Sequence, residues 1–156
     1  MKQFDHSGHS SAWLIRTWVL SWALFATSTA AQSIDDQDIK RMEVAVAIAV
    51  QEGDFDRALA LMMPFAEKGN PDVQHAVGII IAGGQAPKEA REASPRARES
   101  MALPWIRKAA VGGNRQSMSW LADGYKWGRF NLPIDSKREQ CWRKAAVGGG
   151  SPTLCE

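Results

Sequence analysis

The feature that most constrains this chain is a helix-ending turn that recurs. Residues 105–128, WIRKAAVGGNRQSMSWLADGYKWG, read as a helix, a tight glycine turn and a second helix. Upstream, Phe65-Ala66-Glu67-Lys68-Gly69-Asn70 answers residues 109–114. Downstream, Lys144-Ala145-Ala146-Val147-Gly148-Gly149 answers residues 108–113. The alanine before the turn moves from Ala66 to Ala110, 44 residues on, and then to Ala146, 36 residues further. Self-similarity at such a period marks a stacked helical repeat.

Each first helix carries inward positions at helical spacing: Ala58, Leu61, Phe65 and Ala66, then Ala102, Trp105, Ala109 and Ala110, then Arg138, Cys141, Ala145 and Ala146. The turns follow as Gly69-Asn70, Gly113-Asn114 and Gly149-Gly150, where glycine can take a positive φ and stop the helix. The second helices carry Val77, Gly78, Ile81 and Gly84, then Leu121, Ala122, Tyr125 and Gly128. All four pairs are 44 residues apart, so the register is held through both helices.

On these residues the chain resembles the Sel-one-like repeats, relatives of the tetratricopeptide repeats. Ala102, Trp105, Lys108, Ala109, Ala110, Gly113, Asn114, Leu121, Tyr125 and Gly128 match the family pattern, and the likeness runs over about residues 54–150. It departs at Ser117 and Ala122, where alanine and glycine are usual, and at Arg138 and Cys141, which replace alanine and tryptophan. Pro64 and Pro104 fall inside helices and should kink them. The resemblance implies an all-α fold: a right-handed α-solenoid of about two and a half helix-turn-helix repeats. With the cap, six helices are expected.

Residues 1–31 read as a secretory signal peptide. Lys2 and Arg16 are their basic residues, residues 17–27 are apolar (TWVLSWALFAT), and small residues follow. Cleavage is expected after Ala30 or Ala31. The other reading is an uncleaved anchor, but the run is shorter than the roughly 20 residues a span needs. Removal leaves 17 basic and 16 acidic residues, a net charge of +1 and no membrane span. So balanced a charge argues against a general nucleic-acid binder. The expected location is periplasmic or secreted.

Residues 32–53 form the capping helix, with Ser33 as N-cap and a stripe of Ile39, Met42, Val46 and Val50 facing the first repeat. Residues 54–156 form the repeat domain, its helices started by Asp54, by Ser94-Pro95 and by Asp135. Residues 85–100 read as a mixed-charge, solvated linker that lengthens the first period.

Cys141 and Cys155 are the two cysteines. In an oxidising compartment pairing is expected. Cys141 lies eight residues before Gly149 and Cys155 six after it, so both stand at similar heights above the turn. The alternative is two free thiols, one buried. Of the histidines, His6 and His9 precede the cleavage site and His75 follows it, too few for a zinc site of the usual kind. No phosphate-binding loop and no Ser/His/Asp constellation is evident, and no cofactor is expected.

Arg107-Lys108 and Arg143-Lys144 occupy equivalent places 36 residues apart, beside Trp105 and Trp142. The resemblance implies that first helices line the concave, binding face, and Arg and Trp are common interface anchors. These six residues are therefore candidates to bind an acidic or extended segment of another protein. The competing reading is that the lysines complement helix C-termini and the tryptophans are core. The resemblance implies an adaptor or regulatory scaffold rather than an enzyme. The alternatives are a structural subunit of an envelope assembly or, as in some cysteine-rich relatives, a β-lactam-hydrolysing enzyme. Those relatives carry a cysteine pair in nearly every repeat, and this chain has one possible pair.

Overall fold

The computed structural model describes residues 36–156. The expected signal peptide, residues 1–31, and the expected Ser33 cap lie outside the described residues. Among the described residues the fold is all-helical, with seven α-helices and no strand. They are α1 (Asp36–Gln51), α2 (Phe55–Glu67), α3 (Pro71–Ala82), α4 (Lys88–Glu92), α5 (Pro95–Val111), α6 (Arg115–Trp127) and α7 (Ser136–Ala146). Single 3-10 turns occupy Arg129–Asn131 and Pro152–Leu154. The long helices pack on their neighbours along the chain: α1 on α2, α2 on α3, α3 on α5, α5 on α6, and α6 on α7.

The helices stop and start by the same chemistry in both full units. Gly69 and Gly113 turn the chain with φ of +96° and +107°. The Asn70 side chain then accepts from the N–H groups of Asp72 and Val73, and Asn114 accepts from that of Ser117. Asp54, Ser94 and Asp135 cap α2, α5 and α7 in the same way. Each cap satisfies backbone donors that a helix start leaves open.

Burial repeats with the sequence at the alanines, but one place on from Leu61, Trp105 and Cys141 it is Met62, Ile106 and Trp142 that are buried, and Arg138, expected to face inward, is exposed. Ala58, Met62 and Ala66 are buried in α2, as are Ala102, Ile106 and Ala110 in α5. Val77, Gly78 and Ile81 in α3 answer Leu121, Ala122 and Tyr125 in α6, all buried. Gly84 and Gly128 close these helices at φ of +67° and +68°. The small residues let helix axes approach. A Cβ on Gly78 would stand 2.5 Å from Ile106 Cδ1. The large ones, Trp142, Tyr125, Phe130, Ile106 and Leu121, fill the space and are fully buried. Each such side chain contributes about 1.5–3 kcal/mol.

Four local expectations are corrected. Val50 is 40% exposed, and Ala49 at 0% takes the inward place, because the stripe on α1 steps 39, 42, 46, 49. Residues 85–100 are not a purely solvated linker. They hold α4 and the start of α5, Ala86 and Ala90 are buried, and Arg91 pairs with Asp56 of α2 at 2.9 Å. The last turn is made by Gly148, φ +84°, rather than Gly149. There Arg115 Nε donates to the Ala146 carbonyl at 2.6 Å, and α7 ends at that residue. As expected, Pro64 lies inside α2 and Pro104 inside α5. Both sit on exposed faces, where solvent can take the carbonyl that each proline leaves unpaired. The expected count of six helices becomes seven through α4.

The link from α6 to α7 is held from α5. Glu99 accepts from Arg129 Nε at 2.9 Å and from the Phe130 N–H at 3.0 Å. Phe130 and Asn131 have φ of +55° and +56°, a conformation that costs a non-glycine residue energy. The Glu99 clamp and the burial of Phe130 offset that cost.

Candidate functional site

Trp105, Arg107 and Lys108 lie in the last two turns of α5; Trp142, Arg143 and Lys144 lie in the corresponding part of α7. The two helices share burial at a 36-residue offset: Ile106 with Trp142, Ala109 with Ala145, Ala110 with Ala146. That offset sets Cys141, not Trp142, opposite Trp105. Trp142 is 0% exposed in the core, with its indole Nε1 unpaired, so it is not a surface anchor. Trp105 is half-buried, and Lys108 Nζ stands 4.8 Å from its ring centroid.

The two arginines turn to different partners. Arg143 donates to Glu139 on its own helix and to Asp123 of α6 at 3.2 Å. Those bonds, Glu139 first, raise its pKa further above the ordinary guanidinium value. Arg107 pairs with the Glu156 carboxylate and donates to the Tyr125 hydroxyl at 3.2 Å. Arg138, not Arg143, joins Arg107 there. It donates to the same hydroxyl at 3.2 Å, and its guanidinium lies 5.4 Å from the Tyr125 ring centroid. Lys144 is exposed at the end of α7, beside the Gly148 turn.

Arg107 and Lys108 wall an open cleft of about 440 Å³, completed by Gly69, Gln74, Val111, Gly112 and Glu156. Gln74 is buried and fixed by a 2.8 Å bond to the Ala66 carbonyl. The Cys141–Cys155 disulfide, with the Cα atoms 5.5 Å apart, fixes the residue next to Glu156. Cys155 is buried, and it holds the adjoining Glu156 against α5. The cleft thus presents two cations and one tethered carboxylate, an arrangement suited to recognising anions.

A buried polar pair escaped the sequence reading. His75 Nδ1 and Ser117 Oγ are 2.7 Å apart, with Trp120 edge-on to the imidazole at 5.5 Å. Beside them Asn114 donates to Asp72 at 2.8 Å. The pair's trace in the sequence is Ser117 where the resemblance expects alanine, a departure that names no partner. A serine–histidine bond is the elementary unit of an activated nucleophile. Here His75 is 6% and Ser117 0% exposed, so the pair bolts α3 to α6 inside the protein. Burial lowers the His75 pKa, offset in part by Asp72 and Gln116.

Among the described residues no three His, Cys, Asp or Glu side chains gather as a metal site requires. No described helix is long and apolar enough to cross a membrane. Compared with known proteins, the chain matches no family model, no curated protein and no solved structure.

Proposed function

We propose that this is an extracytoplasmic protein–protein interaction module of the Sel-one-like repeat type, acting as an adaptor or regulatory scaffold. In this reading the helices form a right-handed α-solenoid of about two and a half repeats, with α1 as cap. The ligand is an acidic or extended segment of another protein. It lies in the cleft walled by Arg107 and Lys108, and recognition involves neither a cofactor nor covalent chemistry. The observation that carries this is the Arg107 guanidinium at an open cleft, already engaged with a carboxylate. The repeated burial at 44 residues supports the repeat reading, and the disulfide supports an oxidising compartment.

The test is a photo-cross-linking residue in place of Val111, which lines the cleft and is partly exposed. The cross-linked segment of the captured partner should be acidic. Purified partner should then bind the Arg107→Glu protein at least about tenfold more weakly, with the melting temperature unchanged. A neutral or basic cross-linked segment, or unchanged affinity, would rule the cleft out.

A second reading has its own observation. Val147, just after α7, and Leu154, in the 3-10 turn before Cys155, are 72% and 80% exposed. Exposed apolar residues of that kind suit a subunit contact. A stable oligomer by light scattering, lost in a Val147→Glu, Leu154→Glu double variant, would favour a structural subunit.

A further inference from the structure

We infer that Arg107, Tyr125 and Arg138 form a carboxylate-binding subsite whose occupant in the free protein is Glu156, and that an acidic partner enters by displacing it. The inference rests on the reading of the cleft as a site for acidic segments. It names the anchoring group and the built-in competitor.

The geometry of Tyr125 comes first. Its ring is 1% exposed, yet its hydroxyl accepts from two guanidinium groups, each at 3.2 Å. A neutral phenol can orient two cations but cannot neutralise them. Two positive charges drawn to one oxygen need an anion beside them. Arg138 has Asp135 at 3.8 Å, but that carboxylate is also committed to capping α7 through the N–H groups of Lys137 and Arg138. Arg107 has Glu156. The arrangement is the one a bidentate carboxylate site would use, with Tyr125 as the fixed spacer.

The position of Glu156 comes second. It is the residue after Cys155, which is buried and covalently fixed to α7. The tether presents the carboxylate to Arg107 at a high effective concentration. The pair itself is over a third exposed on the Glu156 side and lies in the wall of the cleft. An ion pair so exposed is weak and readily exchanged. A partner with several carboxylates gains the Glu156 position and the neighbouring Lys108 together, and so outcompetes a single tethered group. Glu156 thereby weakens the entry of isolated acidic groups, while dense acidic segments displace it.

The experiment is fluorescence anisotropy at low salt, with a labelled ten-residue glutamate peptide titrated against the full chain. A glutamine peptide of equal length is the control. Removing the competitor with Glu156→Gln should tighten binding by about one and a half- to fivefold, the range expected for an exposed ion pair. Adding Arg138→Gln should cancel that gain, and adding Arg107→Gln should lower affinity below that of the unaltered protein. Glu156→Gln removes no buried group, so folding does not confound the comparison. Equal binding with and without Glu156, still dependent on Arg107, would overturn the displacement and leave the cleft as an acidic-segment site. Failure of both proteins to distinguish the glutamate from the glutamine peptide would overturn both readings.

Discussion

His75 joins one residue's chemistry to the stability of the fold. Its imidazole is neutral in the folded protein, because burial lowers its pKa below the ordinary 6.5. In the unfolded chain the same group takes up a proton at pH 6.5. Unfolding is therefore favoured by acid in the window just below that value. The stability it contributes is complete above pH 6.5 and is lost as pH falls through the lowered folded pKa. The melting temperature should fall as pH is taken from about 7 to about 5.5. In His75→Gln that fall should be visibly shallower, with a lower starting value at pH 7 because the bond to Ser117 is altered. A parallel decline in both proteins would remove His75 from the account. None of this was legible from the sequence. His75 and Ser117 are 42 residues apart, and neither stands in a local pattern that predicts an inward polar contact. Two second helices must first be laid side by side.

At the scale of the element, α7 is where sequence reasoning and packing part. The Ala-Ala-x-Gly pattern places α7 correctly, and its capping by Asp135 follows from local chemistry. What the pattern does not weigh is a shift of one residue between two tryptophans. Trp105 is half-buried with Lys108 beside it, whereas Trp142 takes the fully buried Ile106 position. A helix turns about 100° per residue, so a one-place offset exchanges surface for core. Trp142→Ala should therefore cost about 3–5 kcal/mol in denaturant unfolding. Trp142→Phe should cost much less, since it keeps most of the packing and removes an indole N–H that has no partner. If Trp142→Ala unfolds like the parent while weakening partner binding, Trp142 is an interface residue after all. The short helix α4 was hidden for a different reason. Residues 85–100 are rich in charge, and the burial of Ala86 and Ala90 depends on packing that no local pattern reports.

For the whole molecule, the order of helices was legible because local signals recur: glycine turns and the alanine before each turn in all three units, and asparagine caps in the two full ones. The site was legible in part. Arg107 and Lys108 line the cleft, but the residues that complete their chemistry, Tyr125, Arg138 and Glu156, meet through tertiary packing and the disulfide. That bond closes a loop between residues 14 apart. By the chain-entropy relation, a loop of this length is worth about 3 kcal/mol. Reduction under native conditions should lower the unfolding midpoint by a corresponding amount. Cys141→Ser, Cys155→Ser should reproduce the change, and an unchanged midpoint would show that packing alone holds residues 147–156.

The most direct test of the central claim is a two-dimensional amide spectrum of the isotopically labelled protein, recorded as the glutamate peptide is added. Binding in the cleft should give saturable shifts concentrated at Gly69, Gln74, Arg107, Lys108, Val111, Gly112 and Glu156, and these should be lost in Arg107→Glu. No shifts, or shifts centred on the exposed face of α1 around Val44 and Ile48, would contradict it.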